Sequence, residues 1–104
     1  MTGMPVFAAL ADPTRRQLIL NLAQHSPRTA TQLAKEYPIT RQGVLKHLNI
    51  LESAGLVTVR QDGRDKLYTL TPEPLGEVDD WIKEISAKWD ERLLRLKAFV
   101  ENEP

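Results

Sequence analysis

Residues 29–55 read TATQLAKEYPITRQGVLKHLNILESAG, and the fold class follows from where this stretch can start, stop and turn. Thr29 and Gln32 have the spacing of a capping box, in which the threonine hydroxyl and the glutamine side chain each satisfy a free backbone amide at a helix start. The spacing predicts a short helix through Leu33 and Ala34 that stops before Pro38, whose ring disfavours helical geometry at Tyr37. Thr40 caps the next helix, which carries Val44, Leu48 and Leu51 on one side and ends at Gly55. Two helices parted only by Tyr37-Pro38-Ile39-Thr40 make a helix-turn-helix by spacing.

Toward the N-terminus, Asp12-Pro13 is a helix start, since aspartate accepts from free amides and proline gives up an amide that has no partner there. Leu18, Ile19, Leu22 and Ala23 supply its apolar stripe, and Ser26-Pro27 closes it. Val6-Phe7-Ala8-Ala9-Leu10 reads as a separate turn or two of helix. Toward the C-terminus, Gly55 leads into Leu56-Val57-Thr58-Val59-Arg60, a β-rich run. Asp62-Gly63 is a hairpin signal and Lys66-Leu67-Tyr68-Thr69-Leu70 the returning strand. Beyond Pro72-Glu73-Pro74, apolar residues recur at steps of three and four from Val78 to Val100, an amphipathic helix of about seven turns. The expected fold is mainly α with a small β-hairpin: a winged helix-turn-helix with a long C-terminal dimerisation helix. The 104 residues make one domain, with an N-terminal helix at a dimer interface over 1–12, helix-turn-helix and wing over 13–72, and the C-terminal helix over 73–104.

The formal net charge of zero hides an asymmetry. Residues 1–72 hold nine Lys or Arg and five Asp or Glu, a balance of +4, whereas residues 73–104 hold five and nine, a balance of −4. A basic partner surface therefore lies before Pro72. The absence of cysteine excludes disulfides, thiolate metal sites and a cysteine nucleophile, and fits a reducing compartment. No apolar run approaches the roughly 20 residues that span a bilayer, and the first five residues lack the pattern of a signal peptide, so the expectation is a cytoplasmic chain without a membrane partner. No nucleophile turn, phosphate-cradling glycine loop or paired-carboxylate site is legible, which argues against an enzyme.

In the second helix of the pair, the periodicity that buries Val44, Leu48 and Leu51 leaves Arg41, Gln42, Leu45, Lys46 and Asn49 outward, with Thr40 at the cap. Arginine can pair with guanine and glutamine with adenine, and the first turn of such a helix reaches deepest into a major groove, so Arg41 and Gln42 are the first candidates for base reading. Lys46 suits a phosphate, and Leu45 a thymine methyl. Arg60, Arg64 and Lys66 surround the hairpin turn, where they can reach a minor groove or its flanking phosphates, although Asp62 and Asp65 dilute their charge. Each group alone also reads as a solvated surface; the combination of helix-turn-helix and basic wing favours duplex DNA as partner. His47, between Val44 and Leu51, is read as structural, its ring packed beside the core and hydrogen-bonded to a neighbour. His25 falls in a different element, so no catalytic pair is visible.

The C-terminal stripe is too apolar for a lone surface helix. Val78, Trp81, Ile82, Ile85, Trp89, Leu93 and Leu96, with Val6, Phe7 and Leu10, are the expected homodimer interface. A twofold dimer sets two recognition helices about one DNA turn apart, roughly 34 Å, and so favours an inverted-repeat operator.

Ala8-Ala9-Leu10-Ala11-Asp12-Pro13-Thr14-Arg15-Arg16, Val44-Leu45-Lys46-His47-Leu48 with Leu51, Ala54-Gly55-Leu56-Val57, and Gly63-Arg64 through Tyr68 together resemble the ArsR family of bacterial repressors over nearly the whole chain. The tail, with Pro74-Leu75, Trp81, Trp89-Asp90-Glu91-Arg92-Leu93 and Leu96, is similar to a metal-independent branch of that family. The resemblance implies a homodimer built on the first and last helices, repression by operator occupancy, and frequent control of the regulator's own operon. Metal-sensing relatives place a cysteine pair by the helix-turn-helix, or His and acidic ligands on the last helix; this chain has neither set, so no metal and no cofactor are expected. Leu45 stands where relatives commonly have serine, and Gly43 where alanine is common. Two other readings use the same residues: a winged helix serving as a protein-interaction module through its acidic tail, and a DNA-binding sensor released by a small molecule, of unknown chemistry, held at the dimer interface near Trp81 or Trp89.

Overall fold

The computed structural model describes residues 5–102. The elements run α1 (Val6–Ala9), α2 (Pro13–His25), α3 (Ala30–Ala34), α4 (Arg41–Ser53), β1 (Val57–Asp62), β2 (Asp65–Leu70) and α5 (Leu75–Glu101). Of the segments read from sequence, residues 1–4 of the N-terminal one and 103–104 of the C-terminal one lie outside the described residues.

The caps form as the sequence requires. The Asp12 carboxylate accepts from the Arg15 amide at 3.1 Å with Pro13 opening α2. At α3 both halves of the capping box are made, Gln32 N to Thr29 Oγ1 at 3.1 Å and Thr29 N to Gln32 Oε1 at 2.8 Å. Thr40 Oγ1 accepts from Gly43 N at 3.0 Å at the start of α4. Gly55, with φ of +77°, lets the chain leave α4 in the left-handed conformation, which disfavours residues with a Cβ.

The core gathers Leu18, Leu22, Leu33, Val44, Leu48, Leu51, Leu56 and Val57, all with essentially no exposed surface. It is one apolar interior between α2, α3, α4 and the hairpin, with Leu75 and Val78 of α5 packed on its edge. The Arg28 and Tyr68 backbones exchange two hydrogen bonds of 3.0 and 2.8 Å, an isolated bridge that ties the segment before α3 to the wing.

The structure corrects four expectations. Ala23 is exposed, because at the helical repeat it falls to the side of the Leu18–Ile19–Leu22 stripe. The hairpin pairs Asp62 with Asp65, so its two-residue turn is Gly63-Arg64 and not Asp62-Gly63. Gly63 alone takes a positive φ, +63°, the type II′ pattern with glycine at the first central position. The strands accordingly run to the turn, over 57–62 and 65–70. Finally, Val6 is buried in the chain's own core at 6% exposure and has no surface to offer a dimer partner.

The long axis measures 74 Å against 32 and 20 Å for the others. The radius of gyration, 19.5 Å, exceeds the roughly 13 Å of a compact chain of this length. The excess is α5, of whose 27 residues none is buried.

Candidate nucleic-acid interface

With Val44, Leu48 and Leu51 buried, the helical repeat puts Gln42, Lys46 and Asn49 on the opposite side of α4, and all three are exposed. They form an i, i+4, i+7 ridge. Arg41 and Leu45 lie on the flank of that ridge, turned toward α3 and the wing. Arg41 is exposed, yet its Nε donates to Thr31 Oγ1 at 3.1 Å. Leu45, expected outward, is half-buried and packs against the core, because the wing and α3 close over that flank of the helix.

Between α3, the start of α4 and the hairpin lies a cleft of about 190 Å³, lined among others by Thr31, Arg41, Leu45, Arg64, Lys66 and Tyr68. Asp65 and Gln61 also border it. Burial, reinforced by the Glu52 carboxylate, pushes the Tyr68 phenol above its ordinary pKa, with Arg41 opposing. Strand alternation carries Arg60 elsewhere: Val57, Val59 and Gln61 share one face with their partners Leu70, Tyr68 and Lys66, while Arg60, opposite Leu67, points to the other. The three wing cations therefore do not act as one cluster: Arg64 and Lys66 meet Arg41, and Arg60 stands apart.

His47 is half-buried, with Nδ1 3.4 Å from Arg15 Nη1 and 3.8 Å from Asp12 Oδ2, the neighbour contact its position suggested. Arg15 also donates from Nε to Ala9 O at 2.6 Å and from Nη2 to Ala8 O at 3.2 Å, and Arg16 Nη1 to Leu10 O at 2.7 Å. Two arginines thus hold the carbonyl end of α1, and one of them also touches α4. Sequence spacing places Arg15 in the first turn of α2 but carries no sign of His47, 32 positions away.

The second surface is apolar. Trp81, Ile82, Ile85, Trp89, Leu93 and Leu96 are each about half exposed, from 46 to 54%. Phe7 meets Trp81 edge-on with ring centroids 5.4 Å apart, and the Arg92 guanidinium sits 5.8 Å from the Trp89 ring centroid. Leu10 and Val78 are half-buried against the chain's own core and supply only a margin to this surface. Phe99, absent from the expected interface, continues the stripe about five full turns beyond Trp81, a periodicity that was available in the sequence. Among the described residues no three His, Cys, Asp or Glu side chains are placed to hold a metal ion, and no helix is long and apolar enough to cross a membrane.

A capped helix-turn-helix followed by a two-stranded wing and a long terminal helix is the architecture of a winged helix-turn-helix transcription regulator. Residues 10–60 match a helix-turn-helix domain family. The chain is 33% identical over 88 residues to the transcriptional repressor SdpR of Bacillus subtilis, covering 85% of this chain and 97% of that protein. Among solved structures it is similar to an ArsR-like transcriptional regulator from Rhodococcus sp. RHA1, with 36% identity, a TM-score of 0.74 and coverage of 94% and 92% of the two chains. It is also similar, at 25% identity and a TM-score of 0.63 over 80% of this chain and 76% of the other, to a homodimeric winged helix-turn-helix DNA-binding domain from Mycobacterium bovis. The chain belongs to the ArsR family of helix-turn-helix transcription regulators.

Proposed function

We propose that the protein is a homodimeric repressor that occupies an inverted-repeat operator in duplex DNA and acts in the cytoplasm on its own operon among its targets. The observation that carries this reading is the exposed Gln42–Lys46–Asn49 ridge, directly opposite the buried face of α4 and flanked by the basic wing. Glutamine and asparagine side chains recognise adenine, and lysine pairs with guanine or a phosphate, so the ridge suits major-groove reading. Thr40, Arg41, Leu45 and the wing residues Arg60, Arg64 and Lys66 border it and complete the proposed contact surface.

Dimerisation follows from the stripe on α5 together with Phe7: an apolar face several turns long, with no cover from its own domain, suits a second copy across a twofold axis. The homodimeric assembly of the M. bovis relative supports the same reading. In this reading the regulator works without a metal, because the chain has no cysteine to supply thiolate ligands. A mobility assay with the DNA upstream of the gene, run against random duplex across salt concentrations, tests the function. Specific, salt-sensitive binding that a Gln42→Ala/Lys46→Ala variant loses supports it; equal affinity for any duplex refutes it.

A further inference from the structure

Arg41 offers itself in sequence as a base reader, yet its geometry gives it a different task. It stands to one side of the Gln42–Lys46–Asn49 ridge, its Nε is engaged by Thr31 Oγ1 at 3.1 Å, and its side chain lines the cleft that Arg64 and Lys66 line from the wing. Cations from two separate elements, the first turn of α4 and the hairpin, thus converge on one concave site. Leu45 and Tyr68 contribute apolar wall to the same site, and one carboxylate, Asp65, borders it. Three cations against one carboxylate leave a net positive pocket of a size suited to a single tetrahedral anion and its nearest waters.

We propose that this cleft seats one backbone phosphate of the bound duplex, gripped by Arg41, Arg64 and Lys66, with Thr31 as the residue that positions Arg41. With Nε committed to Thr31, the two terminal guanidinium nitrogens remain available for paired donation to phosphate oxygens, a charge-assisted contact that fixes register and carries no base preference. Base reading then belongs to the ridge of Gln42, Lys46 and Asn49, and Arg41 sets how deeply and at what angle that ridge enters the groove. This division of labour rests on the DNA-binding reading above.

The test uses the full chain, a duplex selected by the wild-type protein from a random-sequence pool, and unselected random duplex, each titrated over a range of salt. Arg41→Ala removes one phosphate contact from each protomer of the dimer, so it should weaken binding to both duplexes by the same factor, at least about tenfold, and reduce the steepness of the salt dependence by about two units of log K per log salt. Thr31→Val should act in the same direction by a smaller factor, and Thr31→Ser, which keeps the hydroxyl, should restore wild-type affinity and salt dependence. Gln42→Ala should instead narrow the ratio between selected and random duplex. If Arg41→Ala narrows that ratio and leaves the salt dependence unchanged, Arg41 reads a base and the phosphate seat is wrong. Wild-type affinity in both Arg41→Ala and Thr31→Val overturns it equally. Failure of the wild-type protein to bind any duplex removes the DNA-binding reading itself, and circular dichroism of each variant separates lost contacts from lost folding.

Discussion

Single residues in this chain act mostly by satisfying backbone groups, and those roles differ in how far the sequence betrays them. The Asp12, Thr29 and Thr40 caps are local, so spacing alone announces them. The Arg15 network is not local: its guanidinium holds Ala8 and Ala9 carbonyls and approaches His47, and only folding brings those groups together. Arg15→Ala strips these contacts, two of them partly buried, at once and should lower stability by about 1–2 kcal/mol, read as a lower urea midpoint at unchanged slope. Glu36 gives a pH-dependent counterpart. A hydrogen bond from Asn21 and the nearby Arg28 hold its carboxyl below the ordinary 4.5. A depressed folded value means that the stabilisation is full above the unfolded pKa and disappears as pH falls through the folded one. Urea midpoints of wild type and Glu36→Gln should therefore differ most near neutral pH and converge as the pH drops below 4.5; a constant gap across that range contradicts the assignment.

At the scale of elements, boundaries set by proline, glycine and capping residues were legible, and boundaries set by pairing were not. The four helices with side-chain or periodic signals lie where the spacing predicts, but the wing turn sits one position later than Asp62-Gly63 suggested. Either Asp62-Gly63 or Gly63-Arg64 satisfies a two-residue hairpin locally; the register that places Tyr68 in the core opposite Val59 selects the second. Two glycines separate local from tertiary cost in the same way. At Gly55 an added Cβ meets only Pro74 Cγ at an ordinary 3.6 Å, so the penalty is the left-handed backbone itself. Gly55→Ala should cost about 1–2 kcal/mol. Gly43 has helical geometry, and a Cβ there meets Thr40 Oγ1 at 3.4 Å and Ile39 Cβ at 3.8 Å, both ordinary contacts. Gly43→Ala should therefore stabilise α4 by roughly 0.5–1 kcal/mol, and thermal denaturation of the pair of variants should move in opposite directions.

Across the whole molecule, the larger part of the chain buries its own apolar residues and the remainder of α5 does not. The core closes over residues up to Val78, whereas the face of α5 from Trp81 onward exposes two tryptophans and a run of aliphatic residues along about 30 Å of helix. Sequence periodicity foretold that face. It did not foretell that Val6 would be withdrawn into the domain core, since α1 is too short for its burial to be read from a repeat. The proposed interface thus centres on α5 and Phe7, and its middle is the Ile85–Trp89–Leu93 segment, where no residue is buried in the chain's own core. That separation makes the assembly testable without disturbing the fold. Leu93→Glu places a charge at the centre of the stripe and should convert a sedimenting dimer into a monomer at micromolar concentration, with the circular dichroism of the domain largely retained. Loss of the partner should also expose Trp89 further and shift tryptophan emission to longer wavelength. Because each protomer carries one recognition helix, the monomer forfeits half of the phosphate contacts, and both its affinity for an inverted-repeat duplex and the steepness of its salt dependence should fall. A Leu93→Glu protein that still sediments as a dimer would instead place the subunit contact away from α5 and leave the apolar face of this helix without its partner.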